Sequence, residues 1–323
     1  MDTSKQSIDT TQSPIKTKKC STFSEFMAYI SADGEIGRDF NQFYYRGTCS
    51  SNYTLTPSLF RNFGLIYDKV SPLPNDRWTK GTTIDLDSLS LTEFCLLRRF
   101  YQIANHNGIR LPYVPLFLMD FYEGLRNYKE NGYRFDQIQE VAALAQHYLL
   151  PTRLLDWSDN CLVALFFAID GILHETNGRA VDNPEICLWC LDRKVPKLSF
   201  GQVTEVMTTY ADNPNINAQK GRFLYWTNKP YSPDKTRCPG EIVNIDPLDR
   251  YLENLVRNEN AQAVSHMNST HLSGFTLIRK ITMPASEARP LAKYLESAGI
   301  TKASLFPSLE SAADETKRSF EFE

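Results

Sequence analysis

The stretch LAQHYLLPTRLLDWSDNCLVALFFAID, Leu144 to Asp170, sets Gln146, His147, Arg153, Asp156 and Trp157 directly before one of the most apolar runs of the chain. Upstream, Asp136 with Gln139 three residues on has the capping-box pattern of a helix start. Ile138, Val141, Ala142, Ala145 and Leu149 fall on one side of that helix, and Pro151 stops it. Gln146 and His147 then lie in its last turn, and PTRLLDW is a connection. Ser158 is read as the cap of a second helix, DNCLVALFFAIDGIL, apolar nearly all round and therefore central. The polar residues sit at a helix–loop–helix corner beside the core, as a reactive site or as a polar knot that fixes the corner.

Outward from this corner the two halves differ. Before it, CSTFSEFMAYISA reads as a short helix capped by Ser21 or Thr22, and SLSLTEFCLLRRFYQIANH as a long amphipathic one. PLFLMDFYEGLRNYKENG resembles a further helix, while FGLIYDKVSPLPNDRWTKGTTIDL, without clear periodicity, reads as a long loop. NQFYYRGT, aromatic and ending in glycine, is a strand entering a turn. After it, ICLWCLD, QVTEVMTTY, GRFLYWTN and FTLIRKITMP read as strands, with helices at DPLDRYLENLVRNE and at ARPLAKYLESAGI, the latter ended by Gly299. The class is α+β: a single interleaved domain, its helix-rich N-terminal half packed on a mixed or antiparallel sheet built largely from the second half.

Composition narrows the function. The 323 residues are 42% hydrophobic and 23% charged, enough for a proper core. A formal net charge of −3 leaves no overall footprint for nucleic acid, which is disfavoured as a partner. The polar N-terminus lacks the apolar region of a secretory signal, and no run of about 18 apolar residues suggests a membrane span. Seven scattered cysteines, an odd number, point to a reducing, cytoplasmic setting. Cys187 and Cys190 have zinc or redox spacing, but no second ligand pair completes a metal set, and a buried strand explains them.

Three pieces carry chemistry. In FYYRG, Phe43 to Gly47, Arg46 could grip a phosphate or carboxylate in two-pronged fashion, or hold the strand by an ion pair. In QHYLLPTRLLDW, His147 could act as acid or base with Asp156 orienting it; alternatively Arg153 pairs with Asp156 and His147 bonds a carbonyl. In INAQKGRF, Gln219 and Gly221 lead into an aromatic strand, where Gly221 permits a bulge or close approach.

Together with the closing LIRKITMPASEARPLAKYLESAGITKASLFPSLES, these pieces resemble the FRG domain, named for a Phe-Arg-Gly signature. The resemblance spans about residues 23–315, and the domain is set at 21–315 between a flexible tail 1–20 and a C-terminal tail 316–323. One departure is local: the family's turn before the proline usually carries glycine, and this chain has Leu149, which must keep φ negative or accept strain. The resemblance implies bacterial or phage-encoded proteins of mobile-element or defence settings.

A more distant likeness to ADP-ribosyltransferases rests on a strand Arg-Gly, then ALFFA, then a late strand with Gln. It implies an NAD or other nucleotide cofactor and no metal. Arg46 would bind the pyrophosphate, with Gly47 and Arg153 also among the cofactor-binding residues; Tyr44, Tyr45 or Trp157 would stack on nicotinamide. Gln219 would hold the ribose, and His147 and Asp156 would line the pocket. Such chemistry needs a carboxylate near the ribose, for which Asp156 or Glu205 is available. Two functions follow as expectations: a transferase acting on a protein acceptor, or a non-catalytic sensor of a ligand or protein in a bacterial defence system.

Overall fold

The computed structural model describes residues 13–70, 83–113, 120, 135–174, 185–199, 202–208, 213–226, 242–262 and 276–320. Its frame is a seven-stranded mixed sheet. The strands are β1 (Ile15–Lys19), β2 (Phe43–Thr48), β4 (Leu155–Ser158), β5 (Glu185–Asp192), β6 (Val203–Val206), β7 (Gly221–Trp226) and β9 (Ile278–Pro284), in the order β1-β9-β5-β2-β4-β7-β6. Only β1 with β9 is parallel. A separate two-stranded ribbon joins β3 (Thr83–Asp85) to β8 (Ile242–Asn244).

The helices, in chain order, are α1 (Phe23–Ile30), α2 (Ser58–Arg61), α3 (Phe63–Val70), α4 (Leu86–His106), α5 (Gln139–His147), α6 (Cys161–His174), α7 (Val195–Leu198), α8 (Pro214–Ala218), α9 (Leu248–Gln262), α10 (Ala288–Ser297), α11 (Lys302–Leu305) and α12 (Leu309–Ser319). The α+β architecture expected from the two halves of the sequence is the one observed.

Alternation along the strands sorts their side chains onto two faces. Phe43 and Tyr45 of β2 point to one face, where α1, α6 and α10 cover them in a cluster containing Phe26, Leu165, Ala168 and Leu291. Phe223 of β7 lies on the same face, but under a different lid: α4 and α5 close over it with Leu97, Ile138, Val141 and Ala145. The opposite face carries Tyr44, Trp157, Trp189 and Trp226 beneath Leu248, Leu252 and Val256 of α9.

Several local expectations are corrected. Residues 63–70 are not loop but α3, because Phe63 and Tyr67, four apart, bury together against Ile84 of β3. LDWS is a strand rather than a connection; its Leu155 and Trp157 alternate with Asp156 against β7. Asp136 is not the N-cap of α5, since a turn of 3₁₀ helix at Phe135–Gln137 intervenes and Ile138 takes the cap position. At α6 the cap is Asn160, whose Oδ1 accepts from Leu162 N at 2.8 Å, while Ser158 Oγ, two residues earlier, accepts from Asn160 N. Part of each expected tail is ordered structure: Ile15–Lys19 is β1 and α12 reaches Ser319. The helix expected in PLFLMDFYEGLRNYKENG lies outside the described residues.

Thr22 caps α1 as expected, its side chain accepting from Glu25 N. The Cys187–Cys190 pair lies in β5 with both thiols buried, and burial raises both their pKa values, which keeps them protonated and unreactive. Among the described residues no helix is long and apolar enough to cross a membrane, and no group of three or more His, Cys, Asp or Glu could hold a metal.

Candidate functional site

The site forms where the sheet splits. Strands β2 and β4 share one bridge, Tyr45 with Ser158, and diverge beyond it. Arg46 fills the opening: its Nη1 donates to the Asp156 carbonyl at 2.7 Å and lies 3.6 Å from Asp156 Oδ2. Burial lowers the pKa of this guanidinium, partly offset by the Asp156 carboxylate and worsened by Arg61 nearby. A guanidinium is not deprotonated inside proteins, so the split holds a largely buried cation.

The other wall is α5. Gln146 Nε2 reaches both Asp156 oxygens, at 3.1 and 3.0 Å. Its own Oε1 accepts from Thr152 Oγ1 at 2.6 Å, which fixes the amide's orientation. Thr152 is held in turn by Ser58: Thr152 N donates to Ser58 Oγ at 3.2 Å, and Leu59 N donates to Thr152 O. A continuous chain of bonds thus runs Ser58–Thr152–Gln146–Asp156–Arg46. At its centre the Asp156 carboxylate remains 50% exposed. An ionised carboxylate offers about four acceptor positions, and one amide nitrogen with a distant guanidinium does not fill them.

His147 adjoins this group. The Asn215 amide nitrogen on α8 lies 2.8 Å from its Nε2, so Nε2 accepts and the neutral ring carries its proton on Nδ1. Burial lowers the His147 pKa, with Asp156 opposing the shift. His147 is therefore neutral near pH 7 and held by an amide, not by a carboxylate as in a charge-relay arrangement.

The corner itself is built on an unusual cap. Leu149 has φ 64, in the left-handed region, and accepts the strained alternative foreseen for a non-glycine there. Leu150 N donates to Ala145 O and Leu149 N to Gln146 O, the two bonds of a Schellman motif. The same pair of bonds closes α10 around Gly299 at φ 74. At the corner a fully exposed leucine does the work of that glycine.

The remaining predicted residues are placed elsewhere. Arg153 does not pair with Asp156; its Nε donates to Glu93 Oε2 of α4 at 2.7 Å, and its backbone N to the other oxygen. Glu93 is completely buried, so this pair belongs to the core. Tyr45 and Trp157 are 1% and 3% exposed. Withdrawing Trp157 to stack on a ligand would uncover on the order of 200 Å² of apolar surface, a cost of about 5 kcal/mol, so its role is packing. Gly47 faces away from the split: a Cβ there would stand 1.8 Å from the Ala164 carbonyl of α6, so glycine is required for the helix to cross β2. Gln219 donates through Nε2 to Leu305 O of α11 and accepts from Ser158 Oγ at its carbonyl, tying down the C-terminal segment. At the next position Lys220, not Gly221, takes positive φ; Gly221 gives close approach to Ile216.

The structure therefore unites Arg46, Asp156 and His147 with Gln146, Thr152 and Ser58, and leaves Tyr45, Gly47, Arg153, Trp157 and Gln219 in structural duties. Ser58 and Thr152 were missed. They lie 94 residues apart, and no local pattern links them. Glu205, the alternative carboxylate, is committed to Tyr44 Oη at 2.7 Å and Arg222 at 3.3 Å.

With this geometry in place, comparison with known families gives one result. The model of the FRG domain matches residues 41–177, which span the Arg46 strand, the α5–β4 corner and α6. That match supports the FRG family for the stretch that builds the site. No curated protein and no solved structure matches the chain.

Proposed function

We propose that this chain is a ligand-binding module whose site is the β2–β4 split, recognising a small polar molecule of the nucleotide class without turning it over. The carrying observation is Asp156: a carboxylate held rigidly by Gln146 and Arg46 yet half open to solvent. A rigid carboxylate with spare acceptor capacity suits a vicinal diol such as that of ribose. The adjacent guanidinium suits the phosphate attached to it. The neutral His147, bonded to Asn215, supplies a further polar contact rather than a general base.

The binding reading is favoured over transfer because the residues needed for turnover have other employment. Gln219 is turned to Leu305, and Tyr45 and Trp157 are buried. Catalysis of an ADP-ribosyl transfer would rest on Asp156 alone. A setting in phage–host or mobile-element conflict within the cytoplasm, with a protein as downstream partner, is part of the proposal and is carried by the family resemblance only.

Titration calorimetry with ADP-ribose, AMP and NAD, run beside an assay for nicotinamide release, tests the reading. Saturable binding abolished by Asp156→Asn, with no nicotinamide released, is expected. Release of nicotinamide by the wild type, lost in Asp156→Asn, would make the chain an enzyme; absence of any nucleotide binding would end the nucleotide reading.

A further inference from the structure

The C-terminal helix stands over the core without packing into it. Ser308 caps α12, its Oγ accepting from Ser311 N at 3.1 Å. The positions that α12 turns inward hold Ser311, Asp314 and Glu315, while its Leu309 is exposed. A surface helix ordinarily turns an apolar stripe to the core. Here polar contacts hold it instead: Thr301 Oγ1 donates to Glu315 Oε2 at 2.7 Å, and Ala303 N donates to the same oxygen at 3.2 Å. Between α12 and the body a cavity of about 370 Å³ is left, walled by α6, α10, the α10–α11 connection and α12. It shares no residue with the split, and its volume lies in the range of small-molecule sites.

The lining has two characters. Phe166 of α6, Ala292 of α10 and Ile300 are only partly buried where they pack on the core, and each presents apolar surface to the cavity. Facing this wall are carboxylates from three helices, Asp170 of α6, Glu296 of α10 and Glu315 of α12. Lys302 also lines the cavity, with its ammonium 3.9 Å from Asp314. Glu315 is fixed through Oε2, which leaves Oε1 open, and Glu296 has no partner among the described residues. The acids do not close on a common centre as metal ligands would, so the cation they suit is an organic one. Beside an apolar wall water screens their charge less than in the open, and a ligand that brings no counter-charge would strip water from them at a cost.

We propose that the cavity beneath α12 is a second binding site, for a small organic amine. The amine's apolar ring or chain lies against Phe166, Ala292 and Ile300, and its ammonium donates to Glu296 and to the open oxygen of Glu315. An ammonium has three N–H donors and no acceptor, which matches carboxylate oxygens with open positions. The site is independent of the nucleotide reading of the split.

Phenethylamine is the probe, and phenethyl alcohol, of the same shape but uncharged, is its control. Each is titrated by calorimetry into the full chain and into its Glu296→Gln and Ala292→Leu variants, while the methyl resonances of Ala292 and Ile300 are followed in the wild type. Circular dichroism first establishes that each variant folds; Glu296 is exposed, so its exchange for glutamine leaves the fold intact. Phenethylamine is expected to bind saturably, to shift both methyl resonances, and to bind about tenfold or more tighter than phenethyl alcohol, as fits a charge-assisted contact. Glu296→Gln should weaken it about fivefold or more, and Ala292→Leu, which fills the cavity, should abolish it. If Ala292→Leu does not fold, Glu296→Gln and the methyl shifts decide the matter. The proposal is overturned by any of four results: no saturable binding of phenethylamine, equal binding of phenethyl alcohol, methyl resonances that do not move, or binding that a folded variant leaves unchanged.

Discussion

Asp156 and Asp159 stand three residues apart in LLDWSDN, and the molecule treats them oppositely. Asp159 is saturated: Arg193 pairs with Oδ1, and Arg222 holds Oδ2 through Nε and Nη2 at 2.8 Å. Arg222 continues to Glu205, which accepts from Tyr44, while Arg193 stacks 4.5 Å over the Tyr44 ring. That network alternates in sign, closes on itself and leaves the Asp159 side chain 25% exposed. Asp156 has one amide and one distant guanidinium, and twice the exposure. Two acids in one short segment therefore differ by their partners: Arg193, just past β5, and Arg222 of β7 in one case, Gln146 of α5 and the more distant Arg46 of β2 in the other. The closed network locks strands together, and the open one is left to meet something else.

The comparison can be broken or sharpened by mutation, beginning with the extreme of the closed kind. Glu93→Ala leaves the buried Arg153 guanidinium without its carboxylate, and chemical denaturation is expected to register a loss of about 3–5 kcal/mol. Next, Asp159→Ala removes the centre of a partly exposed network; a loss of about 2 kcal/mol is expected, less than at Glu93 because solvent screens these groups. If Asp159→Ala cost no more than a surface substitution, the network would not be what holds β4 to its neighbours.

A change at the corner acts the other way. Leu149→Gly relieves left-handed strain while losing no packing, and a gain of about 0.5–1 kcal/mol is expected in thermal unfolding after the added unfolded-state entropy is subtracted. The analogous exchange at Gly299, to leucine, is expected to destabilise, which makes the two caps a matched control. Smaller still is the pH effect of His147. Its folded pKa lies below the unfolded value of about 6.5, so the unfolded state binds the extra proton first. Stability should accordingly fall as pH drops below about 6.5, and His147→Gln should flatten that part of a melting-temperature profile.

The sequence made the α+β class legible because apolar periodicity changes character after Ile172, and the core strands follow it. It also marked the polar corner, and Arg46 and Asp156 within it. What it concealed was pairing. Nothing local distinguishes Arg153, bound to a glutamate 60 positions earlier, from Arg46, which wedges a splayed sheet. Burial hid in the same way: Trp157 looks like a stacking platform until the strand register turns it beneath α9. Gly47 adjoins Arg46 in the sequence, yet its lack of a side chain serves the crossing of α6. Residues whose role depends on a distant partner were invisible for that reason, Ser58 and Thr152 above all.

The division between an acid kept for binding and an acid kept for folding is tested most directly by measuring AMP affinity and melting temperature together in Asp156→Asn and Asp159→Asn. Asp156→Asn should melt less far below the wild type than Asp159→Asn does, since Arg46 keeps its bond to the backbone carbonyl of that position, and should lose AMP binding. Asp159→Asn should melt several degrees lower and, below its transition, bind AMP normally. The opposite pattern, with Asp156→Asn unfolding early and its folded fraction binding AMP as the wild type does, would contradict the account.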